Sequence, residues 1–215
     1  MTPELIPAIL VQDRETFLAR FALVEGLATC VQIDCMDGHF VANRTWYGVG
    51  AIHELPLLDT TVGIELHLMV SDPRSVIHAW RRVPQLVRAI WHVEIPVDHM
   101  VIIHECRELG IECGLALSPE TPVEKLAPYL DMIDEVLVLG VKPGWSGQAL
   151  LPSTMEKIST IKRLNAGMIV GFDGGITREL LPVIIQAGAD RINLASLLFQ
   201  TPDPRETLRA ILSTI

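Results

Sequence analysis

The chain has 215 residues, 49% of them apolar and 20% charged, enough for one sizeable core and far from a disordered composition. A net charge of −9 argues against general binding to nucleic acid or anionic membrane, but not against a small anion held by backbone N–H groups. No apolar run approaches the roughly 20 residues of a membrane helix, and the opening MTPELIPAIL lacks the pattern of a secretory signal, so the expected compartment is the cytoplasm.

From the N-terminus onward, β-rich runs alternate with helical patterns. The runs read as strands are Leu5–Leu10, Cys30–Met36, Gly63–Val70, Val87–Glu94, Glu112–Ser118, Glu135–Val141, Met168–Asp173 and Arg191–Ser196. Helices are predicted over Arg14–Glu25, Pro73–Arg82, Asp98–Leu109, Val123–Leu130, Thr154–Leu164, Arg178–Ala187 and Pro204–Thr214, with a weak candidate near Val49–Leu55. Punctuation agrees: Ser71-Asp72-Pro73 and Pro152-Ser153 open helices, and Gly110 and Gly188 follow them. Several strands are almost continuously apolar, as expected of a parallel sheet covered on both faces. Eight such units with no linker predict a single (β/α)₈ barrel domain over residues 1–215. An open doubly wound sheet is the competing fold, but no G-x-G-x-x-G follows the first strand. Cys30, Cys35, Cys106 and Cys113 lack C-x-x-C spacing and are expected to be reduced and buried.

Barrels of this kind carry their function at the C-terminal ends of the strands, and period-two alternation tells which side chains share the interior. Gln32, Asp34 and Met36 share a face; so do Glu65, His67 and Met69, then His92 and Glu94, then Gly171 and Asp173. An inward histidine is more often a hydrogen-bonded core residue than a ligand, and Asp37-Gly38 reads first as turn chemistry. Asp34 and Asp173 are different, because both end strands and face inward. Two converging carboxylates can form an acid/base pair, bind a cation, or do both. A second cluster is glycine-rich: Lys142-Pro-Gly-Trp-Ser-Gly-Gln148, Asp173-Gly-Gly175 and Ala195-Ser196 follow the last three strands. Such loops let backbone N–H groups converge on one phosphate.

These residues resemble the ribulose-phosphate 3-epimerase family. Pro7-Ala-Ile-Leu10 is similar to its P-S-I-L, and Ile33-Asp-Cys-Met-Asp-Gly-His-Phe-Val41 with Asn43 to its D-x-M-D-G-x-F-V-x-N. Leu66-His-Leu-Met-Val70 resembles H-L-M, His92-Val-Glu94 resembles H-x-E, Pro143-Gly-Trp-Ser-Gly-Gln148 resembles P-G-F-G-G-Q, and Asp173-Gly-Gly-Ile176 resembles D-G-G-I. The resemblance implies inversion of C3 of a ketose phosphate, interconverting ribulose 5-phosphate and xylulose 5-phosphate, with Asp34 and Asp173 as the proton-transfer pair. It implies a divalent metal (zinc, iron or manganese) on Asp34, His67 and Asp173, a sugar-phosphate substrate and a homo-oligomer. Substrate and phosphate contacts are expected at Ala8, Met36, Gly144, Trp145, Ser146, Gly147, Gly174, Gly175, Ala195 and Ser196.

Several positions depart from the family pattern. A metal-ligating histidine two residues before the first aspartate is replaced by Gln32, whose amide oxygen is a weaker ligand, which shifts preference toward manganese or magnesium. Ala8 stands for the serine of P-S-I-L, Leu139 for a methionine, Gly144-Trp-Ser-Gly147 for G-F-G-G and Ala195 for a glycine. Arg44 and Lys142 are extra cations suited to a further anionic group. The alternative is therefore a catalytically silent or altered-substrate phosphate-binding barrel. A related barrel decarboxylase is disfavoured: it needs Asp-x-Lys-x-x-Asp, and no lysine lies in the second or third strand.

Overall fold

Parallel strands pair in sequence order, and the last returns to the first. In the computed structural model, which describes residues 2–55 and 59–215 (at Val49 the backbone alone), β1 (Glu4–Ile9), β2 (Cys30–Met36), β3 (Gly63–Met69), β4 (Leu86–His92), β5 (Glu112–Leu117), β6 (Glu135–Leu139), β7 (Ile169–Asp173) and β8 (Arg191–Leu194) close into a barrel. Between and after them run α1 (Arg14–Val24), α2 (Val49–Glu54), α3 (Pro73–Trp80), α4 (His99–Leu109), α5 (Met155–Leu164), α6 (Leu181–Ala187), α7 (Ser196–Phe199) and α8 (Pro204–Leu212). The predicted helix over 123–130 is instead a 3₁₀ turn, Val123–Leu126. Pro128 explains the difference, since it has no N–H to donate and its ring crowds the carbonyl four residues back. The last strand ends two residues early, and Ser196 opens the short α7, which the sequence pattern merged with the strand.

Helix starts are set by aspartates. Asp13, Asp72, Asp98 and Asp203 each accept from a backbone N–H in the first turn, a cap worth about 1 kcal/mol. Gly110 and Gly188 end α4 and α6 in the left-handed region, at φ 69° and 106°. Among the described residues no helix is long and apolar enough to cross a membrane, and the four cysteines are free and buried.

Alternation divides the buried residues into two layers. Val31, Ile33, Cys35, Ile64, Leu66, Leu68, Ala89 and Trp91 point outward and join the core beneath the helices. Ile90, Ala116, Leu137 and Leu139 form a separate apolar cluster inside the barrel, on its β4–β6 side. A slip of one residue would exchange these sets, so register is strongly specified. It aligns Asp34 with His67, Leu139 with Asp173, and Asp173 with Asn193.

Much of the remaining interior is polar. At its N-terminal end, Arg88 bonds Glu65 and lies 3.2 Å from Glu135 and 2.9 Å from Glu112, while Arg191 bonds Glu135 and lies 3.1 Å from Glu4. Glu65 and Glu135 are fully buried. Gly171 makes room for this network, because a Cβ there would collide with Glu135 Oε1.

Candidate active site

Four inward side chains meet at the C-terminal end of the barrel. Asp34 comes from β2, His67 from β3 and Asp173 from β7, with one ligand atom of each lying within 4.8 Å of the others. All three are buried, at 5%, 1% and 7% exposure, yet they line an open cleft. Beneath them Gln32 donates its amide N–H groups to Asp34 Oδ1 at 2.9 Å and Asp173 Oδ2 at 2.8 Å. His67 Nδ1 approaches the same two oxygens, at 3.1 and 3.6 Å. Burial pushes the Asp173 carboxyl up to about 7, and the charge of Asp34 adds to the effect. Burial also opposes charge on His67, but the hydrogen bond and charge of Asp34, with Asp173, outweigh it and raise its pKa.

The histidine pair behind this cluster fixes a tautomer. His67 Nε2 lies 3.0 Å from His92 Nε2, and His92 Nδ1 lies 3.1 Å from Glu94 Oε2. Glu94 is anchored by the Ser118 N–H at 2.9 Å. Burial raises the Glu94 pKa, but bonds from His92 and Ser118 outweigh it and hold the carboxyl near about 2, while burial holds His92 down to about 4. A neutral His92 that donates from Nδ1 to Glu94 presents a bare Nε2, so His67 must donate from its own Nε2. Neutral His67 then turns a lone pair on Nδ1 toward two carboxylates. That arrangement is repulsive unless a cation or a proton lies between them. The donor set therefore fits a divalent cation on Asp34, His67 and Asp173, with His92 and Glu94 orienting the imidazole from behind.

Gln32 and Ala8 do not reach the cleft. Both are fully buried, paired in register on β1 and β2 beneath its floor. Met36, Gly144, Trp145, Ser146, Gly147, Gly174, Gly175, Ala195 and Ser196 do line it, so the two glycine-rich segments and Ala195-Ser196 meet at one cleft. Glycine is required there: Gly144, Gly147, Gly174 and Gly175 have φ between 70° and 115°, and a Cβ on Gly175 would sit 2.6 Å from Leu150 Cα. Asn43 Nδ2 holds the Gly144 carbonyl at 3.0 Å, and Gln148 Nε2 holds those of Lys142 and Trp145 at 2.7 and 2.8 Å. Of the two extra cations, Arg44 is not among the lining residues, and Lys142 lines the cleft but pairs with Glu120 at 2.8 Å. Asp37 is the turn residue its sequence suggests, bonding the N–H groups of His39, Phe40 and Ser71.

Asn193 is the residue that motif reading missed. It lines the cleft from β8 and donates to Gln32 Oε1 at 2.7 Å. Strand parity alone carried the signal, since Asn193 lies two residues before Ala195.

A closed β/α barrel with buried carboxylates and glycine loops at the strand C-termini has the architecture of a barrel enzyme. The fold aligns over 98% of the chain with a tryptophan synthase α-subunit variant from Pyrococcus furiosus (TM-score 0.77, 18% identity, 98% of that chain). It also aligns with orotidine 5′-monophosphate decarboxylase from Sulfolobus solfataricus (TM-score 0.66, 12% identity, 98% of this chain and 96% of that one). The chain belongs to the Ribulose-phosphate 3 epimerase family, which it matches over residues 4–199. It is 31% identical to the ribulose-phosphate 3-epimerase of Bacillus subtilis over 193 residues, covering 87% of each chain. It is 35% identical to that of Chlamydia pneumoniae over 176 residues, covering 79% of this chain and 76% of the other.

Proposed function

We propose that this protein interconverts D-ribulose 5-phosphate and D-xylulose 5-phosphate, with Asp34 and Asp173 as the proton-transfer pair. The observation that carries the reading is the convergence of two buried carboxylates on a cleft also lined by two glycine-rich loops and Ala195-Ser196. The carbonyl at C2 acidifies the proton on C3. One carboxylate removes that proton, and the electron pair moves through the new C2–C3 double bond onto the C2 oxygen. The other carboxylate returns a proton to the opposite face of C3, and the pair exchanges roles in the reverse direction. A divalent cation held by Asp34, His67 and Asp173 would supply positive charge beside that oxygen, a donor set rich enough in oxygen to suit Mn²⁺ or Mg²⁺.

The substrate phosphate is assigned to the wall formed by Gly144–Gly147, Gly174–Gly175 and Ala195–Ser196. Support comes from the loop carbonyls already held by Asn43 and Gln148, which leaves the loop's N–H groups for an anion. A second reading, a phosphate-binding barrel without turnover, is favoured by the nitrogen rather than oxygen that Gln32 turns to the carboxylates. Incubation with D-ribulose 5-phosphate separates the two. Formation of D-xylulose 5-phosphate supports the epimerase, and saturable binding with no product supports the silent barrel.

A further inference from the structure

A polar column descends from the two aspartates along the barrel axis, and its hydrogen bonds fix which end of each amide points where. Asn193 Nδ2 lies 2.9 Å from Glu65 Oε1 and 2.7 Å from Gln32 Oε1. A carboxylate only accepts, so the Asn193 atom facing Glu65 must be its nitrogen. That nitrogen is a donor, so the Gln32 atom facing it must be the oxygen. Gln32 therefore has only its nitrogen left for Asp34 and Asp173, and both are acceptors. Glu65 is itself held by the Arg88 guanidinium on its other oxygen. The arrangement has a visible cost, because Asn193 Oδ1 is buried with no partner. Turning Asn193 and Gln32 over together would give that oxygen the Gln32 N–H, but would set it against the Glu65 carboxylate.

We propose that Glu65 is a positioning residue which, through Asn193, holds Gln32 as a hydrogen-bond donor between Asp34 and Asp173 and keeps it out of the metal's ligand set. The inference rests on the reading of Asp34, His67 and Asp173 as a cation site. Gln32 then does the reverse of what a ligand at its position would do: it bridges the two carboxylates from below and leaves a three-ligand site open toward the cleft.

The test is Mn²⁺ affinity of chelator-treated protein, measured by calorimetry with electron paramagnetic resonance as a second readout. Gln32→Leu should bind Mn²⁺ at least as tightly as the native chain, and Gln32→His about tenfold or more tightly. Glu65→Gln gives Asn193 a partner that can accept or donate, so Gln32 is free to turn its oxygen inward. It should shift Mn²⁺ affinity by about tenfold where Gln32 is present, and not at all in a Gln32→Leu background. Asn193→Val spares the Glu65–Arg88 pair and should show the same dependence on Gln32, should Glu65→Gln fail to fold. A tenfold loss in Gln32→Leu would overturn the proposal, because Gln32 would then be a ligand. An equal Glu65→Gln effect in both backgrounds would also overturn it, and so would absence of Mn²⁺ binding in every form including Gln32→His. Since the readout is binding, failure of the epimerase assay would remove the proposed reaction and leave this coupling standing.

Discussion

The two ends of the barrel interior are built from the same strands with the same parity, yet they handle buried charge in opposite ways. At the N-terminal end the carboxylates of Glu65 and Glu135 meet the guanidinium groups of Arg88 and Arg191, with Glu4 and Glu112 at the rim. Positive charge there is covalent and permanent. At the C-terminal end Asp34 and Asp173 face only an amide and an imidazole whose nearest nitrogen is a lone pair when neutral. The first arrangement sets two fixed positive charges against its two fully buried carboxylates, although burial and the charge of Glu65 still raise the Glu135 carboxyl and its Oε1 has no partner, whereas the second has no fixed positive charge at all. A buried pair of like charges is costly unless something compensates it. That lack of fixed positive charge, beside an open cleft, supports the cation and substrate sites proposed at this end.

Three changes should separate the two ends by kind of effect, and a fourth examines the loop beside them. Asp34→Asn or Asp173→Asn should lower initial epimerisation rates by about 10³-fold while the fold persists, because each removes one partner of the proton transfer. Retention of more than about a tenth of the native rate by either variant would end the two-carboxylate scheme. Arg88→Leu should act on stability instead. It strands Glu65 and leaves Glu135 with Arg191 alone, so urea unfolding should show a loss of about 3–5 kcal/mol. A loss below about 1 kcal/mol would show that the lower network is a surface-like pairing and erase the contrast.

His92→Leu takes away the acceptor of the His67 Nε2 proton. It should weaken Mn²⁺ binding by about 10-fold to 100-fold with a modest effect on stability. Unchanged Mn²⁺ affinity would mean that the imidazole is oriented by other contacts. The smallest effect is expected at Asp37, which ties the loop after β2 to Ser71. Burial opposes ionisation of Asp37, but the N–H groups of Ser71, His39 and Phe40 outweigh it and bring the carboxyl from 3.8 to about 2. A depressed folded pKa contributes stability that is complete above the unfolded value and is lost as pH falls through the folded one. Asp37→Asn should therefore cost about 1 kcal/mol near neutrality, and the difference from native should shrink between about pH 4 and pH 2. A difference independent of pH would show that the loop does not depend on the charge.

Only the upper end of this contrast was legible in the chain itself. Alternation placed Asp34, His67 and Asp173 on one face, and the glycines after β6 and β7, with Ala195-Ser196 after β8, pointed to residues that line the cleft. Two kinds of feature were not legible. The helix expected at Val123–Leu130 matched an apolar period that Pro128 interrupts, and the short α7 follows β8 after a single residue, Ala195, with no polar or glycine-rich turn to mark the boundary. The role of Gln32 was also out of reach. Its residue type suggested a weak ligand, whereas its orientation is set by Asn193 and Glu65, from β8 and β3, which no local pattern connects.

The most direct test of the charge deficit is Mn²⁺ titration of chelator-stripped protein during turnover of D-ribulose 5-phosphate in D₂O, following deuterium at C3 by NMR. The account predicts little exchange in the stripped protein, and exchange together with D-xylulose 5-phosphate returning as Mn²⁺ saturates the site. Full exchange in excess chelator would contradict it, because the upper end of the barrel would then be complete without an added cation.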